Sequence, residues 1–80
     1  MITAGYLAMP LRTPAEVLAT SMAAAQARLQ IGGRVVRMDG TTGTLKDIQA
    51  DGYDVVVEVV TDDNKLVREM AGWWFGRASL

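Results

Sequence analysis

The 80-residue sequence contains neither cysteine nor histidine. Without cysteine there are no disulfides, thiol nucleophiles or thiolate metal sites. Without histidine the chain lacks the side chain whose ordinary pKa suits proton transfer near neutral pH, and also the commonest zinc ligand. Serine–histidine and cysteine–histidine catalysis within one chain are therefore excluded.

The net charge is also small, and long apolar runs are missing. The formal net charge is −1, which provides no long-range attraction for nucleic-acid phosphates or anionic lipid. No segment approaches the roughly 18 apolar residues of a membrane span, and the opening MITAGYLAMPLR lacks the basic leader of a signal peptide. We expect no membrane association and a location in the cytoplasm or in a virion.

What remains is a globular composition, half hydrophobic and 21% charged. A chain of this length forms one domain with a thin core. Residues 1–12 form an apolar arm that carries no charged side chain before Arg12. Such an arm is unfavourable in water, so we expect it to dock on another surface.

An amphipathic helix is predicted over residues 13–31. Thr13 is suited to cap it, Pro14 suits the first helical position, and Glu16 completes a capping box. The pair Gly32–Gly33 supplies a left-handed stop.

The two faces of this helix differ. Apolar residues recur at steps of three and four along one stripe, which predicts packing on the core: Leu11, Ala15, Leu18, Met22, Ala25 and Leu29. The opposite face is poor in charge and consists of Thr20, Ala23, Ala24 and Ala27. Either alanine simply tolerates exposure there, or this face is buried as well, as happens between subunits.

From residue 33 to residue 80, short β-branched runs alternate with turns rich in Asp, Asn and Gly, which predicts four to five antiparallel strands. In DVVVEVV, residues 55, 57 and 59 point to one side of the sheet, and residues 56, 58 and 60 point to the other. Valines therefore occur on both sides, so we expect a cover on the second side, from the helix, the arm or a second subunit.

The segment IGGRVVRMDGTTGTLKDIQADGYDVVVEVV, with KLVREM after it, resembles the small SH3-like barrels, including those with KOW-like patterning. The resemblance covers about residues 31–70. It implies a small SH3-like antiparallel β-barrel, which we place over residues 33–80. The N-terminal arm and amphipathic helix have no counterpart in the minimal barrel, and together with it they give the predicted α+β fold. This barrel hosts adaptors, nucleic-acid binders, chromatin readers and one class of enzyme.

Two functional alternatives follow from this resemblance. A KOW-like nucleic-acid module would need basic loops, whereas the loops here are acidic. The type II dihydrofolate reductases look similar in fold and share a G-x-R-V strand with a later G-Y-x-V, but they use a V-Q-I-Y stretch. The corresponding KLVREM has neither the glutamine nor the tyrosine.

Two acidic pairs are candidates for catalysis or metal binding. Asp47 and Glu58 are expected to approach each other across strands, and Asp62 and Asp63 are adjacent in a turn. Neither pair has a proton-transfer partner or a Ca²⁺-loop pattern. We therefore expect the first pair to form a salt bridge with Lys46 or Arg37, and the second to hydrogen-bond the nearby backbone of its turn. No catalytic residue, metal or cofactor is predicted.

The stretch GWWFGR holds three of the five aromatic residues. In an extended chain Trp73 and Phe75 share one side and Trp74 takes the other, so all three cannot enter one core. We expect two rings in the core and one exposed tryptophan beside Arg77 that anchors a partner.

These observations predict a non-enzymatic interaction or assembly subunit whose partner is another protein or further copies of itself. Small accessory proteins of phages or mobile elements match this description by type. The predicted interaction residues come from the arm and the aromatic segment: Tyr6, Leu7, Met9, Leu11, Trp73, Trp74 and Arg77.

Overall fold

A computed structural model describes residues 12–76 and places one helix before a five-stranded antiparallel sheet, which confirms the α+β prediction. The elements are α1 (Pro14–Arg28), β1 (Arg34–Arg37), β2 (Thr42–Asp51), β3 (Asp54–Thr61), β4 (Leu66–Met70), a 3₁₀ turn (Ala71–Trp73) and β5 (Trp74–Gly76). Within these residues, no helix has the length and apolar character needed to cross a bilayer.

The helix begins as predicted. The Glu16 backbone N–H donates to the Thr13 hydroxyl at 3.2 Å, and the Thr13 backbone N–H donates to the Glu16 carboxylate at 3.4 Å. The helix ends at Arg28, earlier than expected, because Leu29 adopts an extended backbone and is buried. Gly32, with φ +84°, belongs instead to the turn that leads into β1.

The strands lie in the order β4-β3-β2-β1-β5. Successive strands β1 to β4 pair with their neighbours in sequence, whereas β5 returns to the free side of β1, with Trp74 opposite Arg37. The β2–β3 ladder shifts register between Leu45 and Asp47, and bulges of this kind bend a strand and increase its twist.

One core lies between the helix and the inner face of the sheet. It contains Ala25, Leu29, Val35, Leu45, Val55, Val57, Val59, Ala71 and Trp74. Leu18 and Met22 pack against this cluster, so the predicted apolar stripe is confirmed from Leu18 onward. Ala15 is exposed instead, and Leu11 lies outside the described residues. Because the helix covers this inner face, it does not cover the outer one, where Val56 is nevertheless 7% exposed. Across the strands, Gln49 and Met70 flank Val56.

Candidate interaction surface

The three aromatic residues of GWWFGR separate into one buried ring and two exposed rings. Trp74 is fully buried, whereas Trp73 and Phe75 are 45% and 47% exposed. The expectation that two rings enter the core was wrong, because only Trp74 does so. Trp74 opposes Arg37 on β1 and points inward, so it is also excluded as an exposed interaction residue.

The other predicted interaction residues, Tyr6, Leu7, Met9, Leu11 and Arg77, lie outside the described residues. Their role in binding stays a prediction. Of the predicted interaction residues, only Trp73 is both described and exposed.

Arg37 is the centre of a hydrogen-bond network beside Trp73. Its Nη1 donates to both carboxylate oxygens of Glu69, at 2.9 and 2.8 Å. Its Nε and Nη2 donate to the two oxygens of Asp39, at 3.0 and 2.9 Å. The guanidinium carbon also lies 5.4 Å from the centroid of the Trp74 ring, within cation–π range.

This network sets the charge state of its members. The hydrogen bonds from Arg37, followed by that from the Thr41 backbone, hold the pKa of Asp39 well below its ordinary value. Hydrogen bonds to Asp39 and then to Glu69 raise the pKa of Arg37 further. Asp39 is therefore a fixed negative charge at physiological pH.

The same network joins the two edges of the sheet. Glu69 lies on the edge strand β4 and Trp74 on the edge strand β5, yet the Trp74 Nε1–H donates to Glu69 Oε1 at 3.0 Å. The sheet must therefore curl until its two edge strands approach each other. Side chains, rather than a further ladder, span this seam among the residues described.

A pocket of about 370 Å³ opens above the network, lined by Arg37, Met38, Asp39, Glu69 and Trp73. Met38 is 66% exposed. Its backbone N–H donates to the Trp73 carbonyl at 3.1 Å, which fixes the β1–β2 turn against the 3₁₀ turn. We call the surface formed by Met38 and Trp73 the Met38–Trp73 surface.

Sequence reasoning missed Met38, Arg37 and Glu69. A signal for Arg37 was present, because Val35 points into the core and a strand alternates with period two, so Arg37 had to point inward as well. An inward charge requires a partner. The sequence does not reveal that the partner is Glu69, 32 positions away.

The first acidic pair lies across two strands. Asp47 and Glu58 are opposite each other on β2 and β3, as expected, and Asp47 accepts a hydrogen bond from Gln49 Nε2 at 2.8 Å. The expected salt bridge was wrong, because neither carboxylate is among the ion pairs of the described residues. Within residues 12–76, no group of three or more acidic side chains is placed to hold a metal ion.

Asp62 and Asp63 lie in the β3–β4 turn, and both carboxylates accept hydrogen bonds there. Asp62 accepts a hydrogen bond from Arg34 Nη2 at 2.7 Å and one from the Thr42 hydroxyl. The hydroxyl of Thr61 donates to Asp63 and lowers the pKa of that carboxyl. The Asp63 carboxylate thus stabilises the β3–β4 turn, and the Asp62 carboxylate links that turn to β1 and β2.

No protein-family model matches this chain, and comparisons with curated proteins and with solved structures find no significant match.

Proposed function

We propose that this chain is a non-enzymatic interaction subunit that binds a protein partner through the Met38–Trp73 surface. We further propose that its sheet is a small SH3-like barrel. The barrel is supported by the five antiparallel strands and by the meeting of the two edge strands at Glu69 and Trp74. The barrel would supply the rigid frame on which the binding surface is mounted.

The observation that carries the binding proposal is an exposed tryptophan beside an exposed methionine. Trp73 is 45% exposed and Met38 is 66% exposed, and both line one pocket. Tryptophan and methionine are enriched at protein interfaces, and tryptophan often contributes most of the binding free energy. Exposed apolar side chains that lie together are better explained by a partner than by solvent.

The support beneath this surface favours binding because it is already ordered. The backbone hydrogen bond from Met38 to Trp73 and the ion pair of Arg37 with Glu69 hold the two turns in place. A partner therefore loses less free energy to ordering of the surface than it would on a mobile loop.

The charge of the pocket favours a protein over a nucleic acid. Its lining contains two carboxylates, Asp39 and Glu69, against the single guanidinium of Arg37. A net negative lining repels phosphates. Both carboxylates also already accept hydrogen bonds from Arg37, which argues against their use as a general acid or base.

The proposal is tested by capturing partners from the native source with Trp73→Ala and with Phe75→Ala as a matched control, followed by mass spectrometry. Both rings have similar exposure, but Phe75 does not line the pocket. We expect Trp73→Ala to lose the partner and Phe75→Ala to keep it, with both thermal midpoints within about 5 °C of wild type. Capture of the same protein by Trp73→Ala at the wild-type level would refute the proposal.

Two further measurements identify the class of partner. If the partner is a second copy of this chain, light scattering should show an oligomer at tens of micromolar that Trp73→Ala dissociates. Binding of DNA or RNA that weakens steeply with salt would instead support the nucleic-acid alternative.

A further inference from the structure

A second groove runs along the helix and shares no lining residue with the pocket of the Met38–Trp73 surface. It encloses about 420 Å³, within the range of sites that take up small ligands. One wall is a second face of the helix, distinct from the apolar stripe, and the other wall is formed by residues 53–55 and 70–72. The helix face consists of Val17, Ser21, Ala24 and Arg28. We call it the helix groove.

The helix groove presents apolar side chains to the surface. Val17, Tyr53 and Met70 are 45%, 66% and 39% exposed. The guanidinium of Arg28, which also lines the groove, already donates to the carbonyls of Trp74 and Ala71, at 2.9 and 3.2 Å. An occupant of this groove therefore needs apolar side chains and has little use for an anionic group.

We propose that the helix groove binds the first eleven residues of the apolar arm of the same molecule. These residues carry no charged side chain, and they include Tyr6, Leu7 and Met9. The arm and the groove match in chemistry, since docking would remove apolar surface from water on both, and the arm brings no charged side chain to the lining that holds Asp54 and Arg28.

The point where the arm joins the helix supports docking within one molecule. The guanidinium of Arg12 donates to the Thr20 hydroxyl at 3.2 Å, so it extends back along the helix. Thr20 is three residues from Val17 and four from Ala24, and is therefore adjacent to both on the helix surface. The arm thus starts beside the wall of the groove.

The length of the arm is also sufficient. Eleven extended residues span at most roughly 36 to 40 Å, whereas the 15-residue helix is roughly 22 Å long. Because the arm is tethered, its effective concentration at the groove is on the order of millimolar, so modest contacts suffice. A second copy of the chain would have to compete with this tethered segment.

The experiment uses the full chain with a photo-crosslinking benzophenone amino acid in place of Tyr6, irradiated and mapped by mass spectrometry. We expect crosslinks in a product of monomer mass, to groove residues such as Val17, Tyr53 and Met70. Crosslinks only to other parts of the monomer, no crosslinks, or crosslinks only in a product of dimer mass would each overturn intramolecular docking.

Two neighbouring exposed alanines provide the matched variants. Ala24 lines the helix groove and Ala23 does not. Ala24→Trp places an indole ring in the groove and should lower the yield of groove crosslinks by about tenfold or more, because the ring and the arm cannot occupy the same space. Ala23→Trp should leave the yield unchanged. Equal yields from the two variants would overturn the proposal, and circular dichroism shows whether both retain the fold.

Discussion

Arg37 and Glu69 form an ion pair although their strands are not neighbours in the sheet. Arg37 Nη1 lies 2.9 and 2.8 Å from the two oxygens of Glu69, while β2 and β3 separate β1 from β4 in the strand order. The pair is possible only because the sheet curls. The Trp74 Nε1–H donates to the same carboxylate, so Glu69 links β1, β4 and β5.

Removing the Glu69 carboxylate should therefore destabilise the fold. In Glu69→Ala the Trp74 N–H, on a fully buried ring, loses its acceptor, and an unsatisfied buried donor costs about 1–3 kcal/mol. Glu69→Gln keeps an acceptor oxygen and should lose less of the free energy of unfolding.

Urea denaturation measures the free energies of unfolding. Glu58→Ala on β3 is the control and should stay within about 0.5 kcal/mol of wild type; an equal loss in Glu58→Ala and Glu69→Ala would contradict this role.

The two adjacent tryptophans should differ sharply in their effect on stability. Trp74→Ala empties a fully buried position and should cost about 3–5 kcal/mol, a large part of the total stability of a domain this small. Trp73→Ala should change the free energy of unfolding by less than about 1 kcal/mol. Thermal unfolding followed by circular dichroism avoids dependence on tryptophan fluorescence. Similar losses for the two variants would show that both rings belong to the core.

Acid should weaken the fold partly through Asp39. The pKa of Asp39 is lowered in the folded state from its ordinary value of 3.8, so below about pH 4 the unfolded state binds more protons than the folded state. The stabilisation from Asp39 is complete above that value and is lost as pH falls. Between about pH 4 and pH 2 the urea midpoint of wild type should fall below its value at pH 7, and in Asp39→Asn this fall should be smaller. A decline as steep as in wild type would show that other groups cause the acid sensitivity.

Asp63→Asn should flatten the acid decline of the urea midpoint as well, because the pKa of Asp63 is also lowered.

Gly43 is required on steric grounds. A Cβ at this position would lie 2.6 Å from the carbonyl oxygen of Val60 and 2.7 Å from Val59 Cγ1. Gly43→Ala must shift the β2–β3 ladder, at a cost of about 1–3 kcal/mol measured by urea denaturation. Gly72 is the matched control, because a Cβ there would meet nothing within 4 Å. Gly72→Ala should be neutral or slightly stabilising, and a neutral Gly43→Ala would contradict the close approach of β3.

The features that sequence reasoning predicted correctly are local ones. The capping box of Thr13 and Glu16 depends on residues three apart, and the helix stripe depends on a repeat of three and four. Alternation along β3 identified the inner valines, and the same alternation separated Trp74 from its neighbours. Each of these signals comes from backbone geometry that a short segment has by itself.

The errors occurred where distant segments compete for the same core. The end of the helix was misplaced because Leu29 leaves the helix to be buried, which Gly32 and Gly33 do not reveal. Two of the three aromatic rings were expected in the core, but the core accepts only Trp74. The Met38–Trp73 surface was missed because its two turns meet only when β5 pairs with β1.

The sequence by itself thus determined the helix start, the alternating strands and the absence of cysteine and histidine chemistry, since these depend on composition and on neighbours a few residues apart. Only the tertiary structure decided which tryptophan is buried, which carboxylate pairs with Arg37 and which apolar residues remain exposed. The physical reason is that the curl of the sheet brings β4 and β5 together. The Arg37–Glu69 pair at that seam joins residues 32 positions apart, a separation at which no local pattern in the sequence gives a signal.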